Sequence, residues 1–168
     1  MILAAVGDIV QFQFSSGNHT VTESAENEGC TPLQKKDPKA IHSGHIPFEA
    51  GQTTVGTFNM PVTRKGPMFL YCATGPHCQT GQVMMINPST PQQLAQYAMV
   101  SGQAKENIDG IQLSGGTVNQ IEKAASLIVE KPPEEDEKGP EKSPKKGAEM
   151  SPEDTTNAGK DTRMVEGG

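Results

Sequence analysis

The chain has no tryptophan, and aromatic residues make up only 4% of it. With 33% hydrophobic residues in 168, that leaves room for one domain with a modest core trailing something less ordered. Lysine and arginine nowhere cluster between aromatics, and the formal net charge is -6, so a phosphate backbone is excluded as a partner. Long apolar runs are missing too. The longest apolar start, MILAAV, spans residues 1–6 before Gly7-Asp8, against the roughly 20 residues a membrane span needs. It is also too short for the core of a signal peptide, so neither targeting nor anchoring segment is expected in the chain as given. Cysteine is scarce and odd in number: Cys30, Cys72 and Cys78 leave one thiol after any single disulfide. In a secreted protein such a thiol suggests reactivity or metal binding.

What is present reads as β-structure from Ala4 to about Asn87. DIVQFQF sets Ile9, Gln11 and Gln13 against Val10, Phe12 and Phe14, and HTVT, TTVGTF, PMFLYC and VMMIN add short β-rich runs between Gly and Pro punctuation. Several short strands with irregular loops predict a sandwich or barrel. After Pro88 the pattern changes. Thr90-Pro91-Gln92-Gln93 has the form of a capping box with proline at the first helical position, and Leu94, Tyr97 and Ala98 then share one helical face. A second helix is expected over 117–130, where Val118, Ile121, Ala125 and Ile128 fall near helical spacing after Gly115-Gly116. From Lys131 the chain mixes Pro, Gly, Glu and Lys without an aromatic and cannot repay its ordering entropy, so 131–168 is expected to be a disordered, solvated tail. No internal repeat is found. The expected organisation is a β-domain over 1–90, a helical extension over 91–130, and the tail.

The stretch Tyr71 to Pro88, YCATGPHCQTGQVMMINP, places Cys72, His77, Cys78 and Gln82 within eleven residues. A soft metal that cycles between one-electron states wants a thiolate and imidazoles, and the blue-copper arrangement supplies two His, one Cys and a weak axial ligand. Cys72 and His77 have that spacing, on a strand end and the loop after it. The second imidazole has to come from elsewhere in the sandwich. GNHTVT at 17–22 offers His19 at the start of a β-rich run, just after a Gly-Asn turn. Gln82 follows Gly81, which can turn the backbone so that the amide oxygen faces the metal, and Gln is an attested axial ligand.

Together GDIVQFQF, GNHTVT, HSGHIPF and YCATGPHCQTGQVMMINP resemble a cupredoxin of the plastocyanin-like or phytocyanin type, nearest in pattern to the fungal extracellular serine-rich proteins. The resemblance covers about residues 4–88 and implies an all-β, Greek-key cupredoxin sandwich. Carried over, it implies copper ligands at His19, Cys72, His77 and Gln82, with Gln82 standing as in stellacyanins where most fungal members have Met. It further implies a disulfide between Cys30 and Cys78, which leaves Cys72 as the thiolate on one type 1 copper. The chain departs from the family pattern around Ser43-Gly44, where His42 and His45 replace an aspartate and a phenylalanine. Family members carry a strand and a signal peptide before the equivalent of Ala4, so on the resemblance either the first strand is missing, which would expose the neighbouring edge, or the start is misassigned.

Each residue has a plainer reading. A lone Cys at a strand end is usually a small buried hydrophobe, and a lone loop His is usually a surface residue. Met84 and Met85 are rival thioether ligands, although in the strand VMMIN alternation sends one inward and one outward, which favours core packing. His42 and His45, flanked by Ser43-Gly44 and Pro47, read as turn residues and not as a second metal site. Asn18-His19-Thr20 fits the glycosylation sequon. The function expected is one-electron transfer through one type 1 copper, with a redox protein or small molecule as partner, outside the cell or at its surface. The alternative is a non-redox cell-wall or surface interaction module. An enzyme of the multicopper oxidase kind would need further His-rich motifs, and the chain has four His in all.

Overall fold

The computed structural model describes residues 1–127; the expected disordered tail, 131–168, lies outside the described residues. Among the described residues, eight strands form three antiparallel sheets: β1 (Ile9–Phe14), β5 (Thr54–Pro61) and β8 (Thr117–Glu122) in the order β1-β5-β8; β2 (Gly17–His19) with β4 (Ile46–Phe48); and β3 (Thr22–Ser24), β6 (Met68–Tyr71) and β7 (Val83–Ile86) in the order β3-β6-β7. The result is an all-β, cupredoxin-like sandwich, to which the described residues add the helix α1 (Pro91–Gly102).

Strand β1 forms as its alternation predicts. Val10, Phe12 and Phe14 turn toward the core while Ile9 and Gln11 stay exposed, and the strand pairs with β5 from Ile9↔Pro61 to Phe14↔Gly56. The main core lies between the two three-stranded sheets, where Phe14, Phe58 and Met60 meet Met68, Leu70 and Ile86. Strand β6 is buried on both faces, which is why MFLY shows no alternation. Met68 and Leu70 face that core, whereas Phe69 packs with Met85 and Tyr97 beneath α1.

Helix α1 starts at the expected proline, but the expected capping box does not form. The Thr90 side chain makes no cap bond, and the Gln93 carboxamide accepts from the Ser89 N–H at 2.8 Å. Tyr97 is buried and its hydroxyl is 2.7 Å from Ser24 Oγ, which pins the helix to β3.

The second expected helix is not found in its described part: Thr117–Glu122 is strand β8, followed by a 3-10 turn at Lys123–Ala125, and 128–130 lie outside the described residues. Val118 and Ile121 are three apart and fit a helix, but the long β5 offers an open row of backbone donors and acceptors. Pairing from Thr54↔Glu122 to Asn59↔Thr117 satisfies that edge, and the β-branched Thr117, Val118 and Ile121 suit it. At the other end of the chain, Ile2 pairs in parallel with Ile86, and the Asn87 side chain is bonded to both the N–H and the C=O of Ala4.

Candidate metal centre

The loop after β6 holds three of the four proposed ligand positions by its own backbone. Cys72 N–H donates to Gln82 C=O at 3.1 Å, Gln82 N–H to His77 C=O at 2.8 Å, and His77 N–H to Thr74 C=O at 3.0 Å. Gly81 has φ +100, a left-handed conformation that a side chain would strain, and it turns the chain into Gln82. Beneath the loop, Cys30 and Cys78 are joined by a disulfide, and Cys72 is the free thiol among the three cysteines. The fourth position arrives from β2, whose last residue, His19, is set by pairing with Ile46.

The side chains converge. Cys72 Sγ lies 3.6 Å from His19 Nδ1 and 3.4 Å from His77 Nδ1, and the two imidazole centroids are 5.0 Å apart. Among the described residues, these three form the group of His, Cys, Asp or Glu whose ligand atoms all lie within 4.8 Å of one another. A tetrahedral metal ion about 2.0 Å from nitrogen and about 2.3 Å from sulfur separates those donors by about 3.5 Å. The observed spacings therefore fit an ion held between them without rearrangement of the loop. Gln82 is exposed, and its carboxamide Nε2 lies 3.0 Å from His19 Nδ1, so the amide stands at the site with its nitrogen toward the ring and has to turn over to offer its oxygen. Met85 is fully buried beneath α1, on the face of β7 away from the site. Met84 lines, with Phe12, Phe14 and Leu70, a cavity of about 300 Å³ onto which His19, Cys72 and Gln82 open. Asn18 is exposed on β2, beside the ligand.

The sulfur is buried and hydrogen-bonded. Cys72 is 2% exposed and its Sγ accepts from Thr20 N–H at 3.4 Å. Thr20 Oγ1 accepts from Ala73 N–H at 2.8 Å, so residue 20 clasps the ligand and its successor together. Outside the loop, Asn107 Nδ2 donates to Cys72 C=O at 3.0 Å and to Gly75 C=O at 2.7 Å. The Tyr71 hydroxyl donates to Ile108 C=O at 2.6 Å, and burial pushes that phenol above its ordinary range, so it stays a donor. Asn107 and Ile108 carry no motif, and nothing in the sequence marks a segment some 35 residues away as the outer wall of the site.

His42 and His45 are more than turn residues. They flank Ser43-Gly44, but His42 is buried, with Nδ1 2.9 Å from Thr22 Oγ1, and both imidazoles face Asp109, His45 Nε2 at 2.9 Å and His42 Nε2 at 3.6 Å.

No family model matches the chain. It is 32% identical over 119 residues to the "Extracellular serine-rich protein" of Arthroderma benhamiae, a match covering 70% of this chain and 44% of that protein. It is 29% identical over 87 residues to the "Probable GPI-anchored cupredoxin-1" of the same fungus, covering 52% of this chain and 41% of that protein. The chain thus spans less than half the length of either curated relative it matches. On these matches and on its fold, the chain is a distant homologue of a cupredoxin and of an extracellular serine-rich protein.

Proposed function

We propose that the protein binds one copper ion as a type 1 centre through His19, Cys72 and His77, with Gln82 as the weak axial ligand, and serves as a one-electron carrier outside the cell or at its surface. The observation that carries this reading is the His19–Cys72–His77 cluster, with every ligand atom within 4.8 Å of the others. One thiolate and two imidazoles, with a neutral amide beside them, would suit copper better than a structural zinc, which takes four strong donors. Bound copper supplies the Cu(I)/Cu(II) couple. The protein's part is to hold the donors still: backbone bonds within 72–82 fix the loop, the disulfide anchors it, and Thr20 N–H withdraws charge from the sulfur. The half-exposed His77 gives a partner an edge of the site to approach. No bond in a substrate is made or broken. The disulfide and the two relatives support an extracellular or surface location.

Titration of the metal-free protein with Cu(II) tests the proposal. One equivalent should bind with an intense visible thiolate-to-copper band, and Cys72→Ser should remove the band. A colourless complex, or an undiminished band in Cys72→Ser, overturns the ligand assignment.

A further inference from the structure

A chain of polar contacts leads from the sulfur of the candidate centre to a second, titratable cluster. Thr20, which clasps Cys72 and Ala73, has its Oγ1 2.8 Å from Thr22 Oγ1, and Thr22 Oγ1 is 2.9 Å from His42 Nδ1. All three side chains are buried. On the far side of the His42 ring stands the Asp109 carboxylate, shared with His45. His45 Nδ1 in turn is 3.1 Å from Thr74 Oγ1, two residues beyond Cys72. The path therefore leaves the Cys72 loop through Thr20 and returns to it through Thr74.

We infer that His42 is a positioning residue for the metal centre: the proton it shares with Asp109 and His45 decides which way the Thr22 and Thr20 hydroxyls point beside Cys72, and so makes the reduction potential follow pH. This rests on the copper reading above. The direction of each bond follows from donor counting. Ala73 N–H already donates to Thr20 Oγ1. When His42 is neutral at Nδ1 it accepts from Thr22 O–H, and Thr22 Oγ1 accepts from Thr20 O–H. When His42 is protonated, Nδ1–H donates to Thr22, whose hydroxyl turns to Thr20, and the Thr20 proton must point elsewhere. The added positive charge favours Cu(I) over Cu(II), so the potential rises as pH falls.

The ring is held for this purpose. A Cβ on Gly110 would come within 2.2 Å of it, so a glycine is needed where the chain crosses the imidazole. The charged groups facing His42 are Asp109 and His45; Glu23, on β3, turns instead to Ile41 N–H and is paired with Arg64. Burial holds the His42 pKa below its ordinary value, Asp109 pulls it up and His45 pushes it down, which places the response on the acid side of a free histidine.

Two measurements on the full chain test the inference. In the metal-free protein, NMR titration should show a step in the Ala73 amide shift at the pH where the His42 ring titrates, and the step should vanish in His42→Gln and in Thr22→Val. A step that persists in Thr22→Val, or an Ala73 amide indifferent to His42, overturns the relay whatever metal binds. In the copper-loaded protein, voltammetry should show the potential rising as pH falls through the same step, and no such rise in either variant. An equal rise in both variants assigns the pH response to the ligands themselves and overturns the inference, while a protein that takes up no copper refutes the earlier reading and leaves the amide step to be judged alone. Should either buried variant fail to fold, Asp109→Asn, at a half-exposed position, still decides: it should move the His42 step to lower pH, and an unmoved step overturns the cluster.

Discussion

Gln82, exposed beside His19, and His42, buried between Thr22 and Asp109, each act through the polar groups they face. Gln82 brings its carboxamide Nε2 to within 3.0 Å of His19 Nδ1, and turning the amide over would offer its oxygen to a metal held there. A carboxamide oxygen is a harder donor than a thioether and favours Cu(II), so Gln82→Met should raise the reduction potential while the visible band from Cys72 persists. Voltammetry of both proteins checks this; an unchanged potential would take Gln82 out of the coordination sphere. For His42 the sign runs through linkage. Burial lowers its pKa in the folded state from the ordinary 6.5, so the unfolded chain binds more protons between the two values. The resulting stability is full above about 6.5 and is lost as pH falls below it. Urea unfolding at a series of pH values should show the midpoint falling on the acid side of that value, and a smaller fall in His42→Gln.

At the scale of elements, legibility followed how local the cause was. Strand β1 was readable because Val10, Phe12 and Phe14 alternate with polar residues, and α1 because Pro91 marks its start. Strand β8 was not: Val118 and Ile121 fit either period, and what decides is the free edge of β5, about 60 residues earlier in the chain. Cys72 and His77 could be picked out by residue type and spacing, and His19 by its residue type within GNHTVT and the resemblance. Asp109 could not, because its meeting with His45 spans 64 residues and obeys no motif. The same non-local pairing yields a prediction. Ending the chain after Gly116 removes β8 and bares β5, which should lower the urea midpoint and cause association visible by light scattering. A shortened chain that stays monomeric and equally stable would mean that β8 protects nothing.

For the whole molecule, the disulfide and the metal site act on the same loop by different means. Cys30 and Cys78 are 48 residues apart, so on chain-entropy grounds their bond stabilises the fold by about 4 kcal/mol. Cys30→Ser should therefore unfold at markedly lower urea, yet keep the visible band, since Cys72 is not part of the bridge. Thiol titration of the denatured, unreduced protein should count one free cysteine, Cys72. If this thiol and two imidazoles share one copper ion, X-ray absorption at the copper edge of the protein loaded with one equivalent should show one sulfur and two imidazole nitrogens in the nearest shell. A shell of nitrogen and oxygen alone would take Cys72 off the metal and overturn the site.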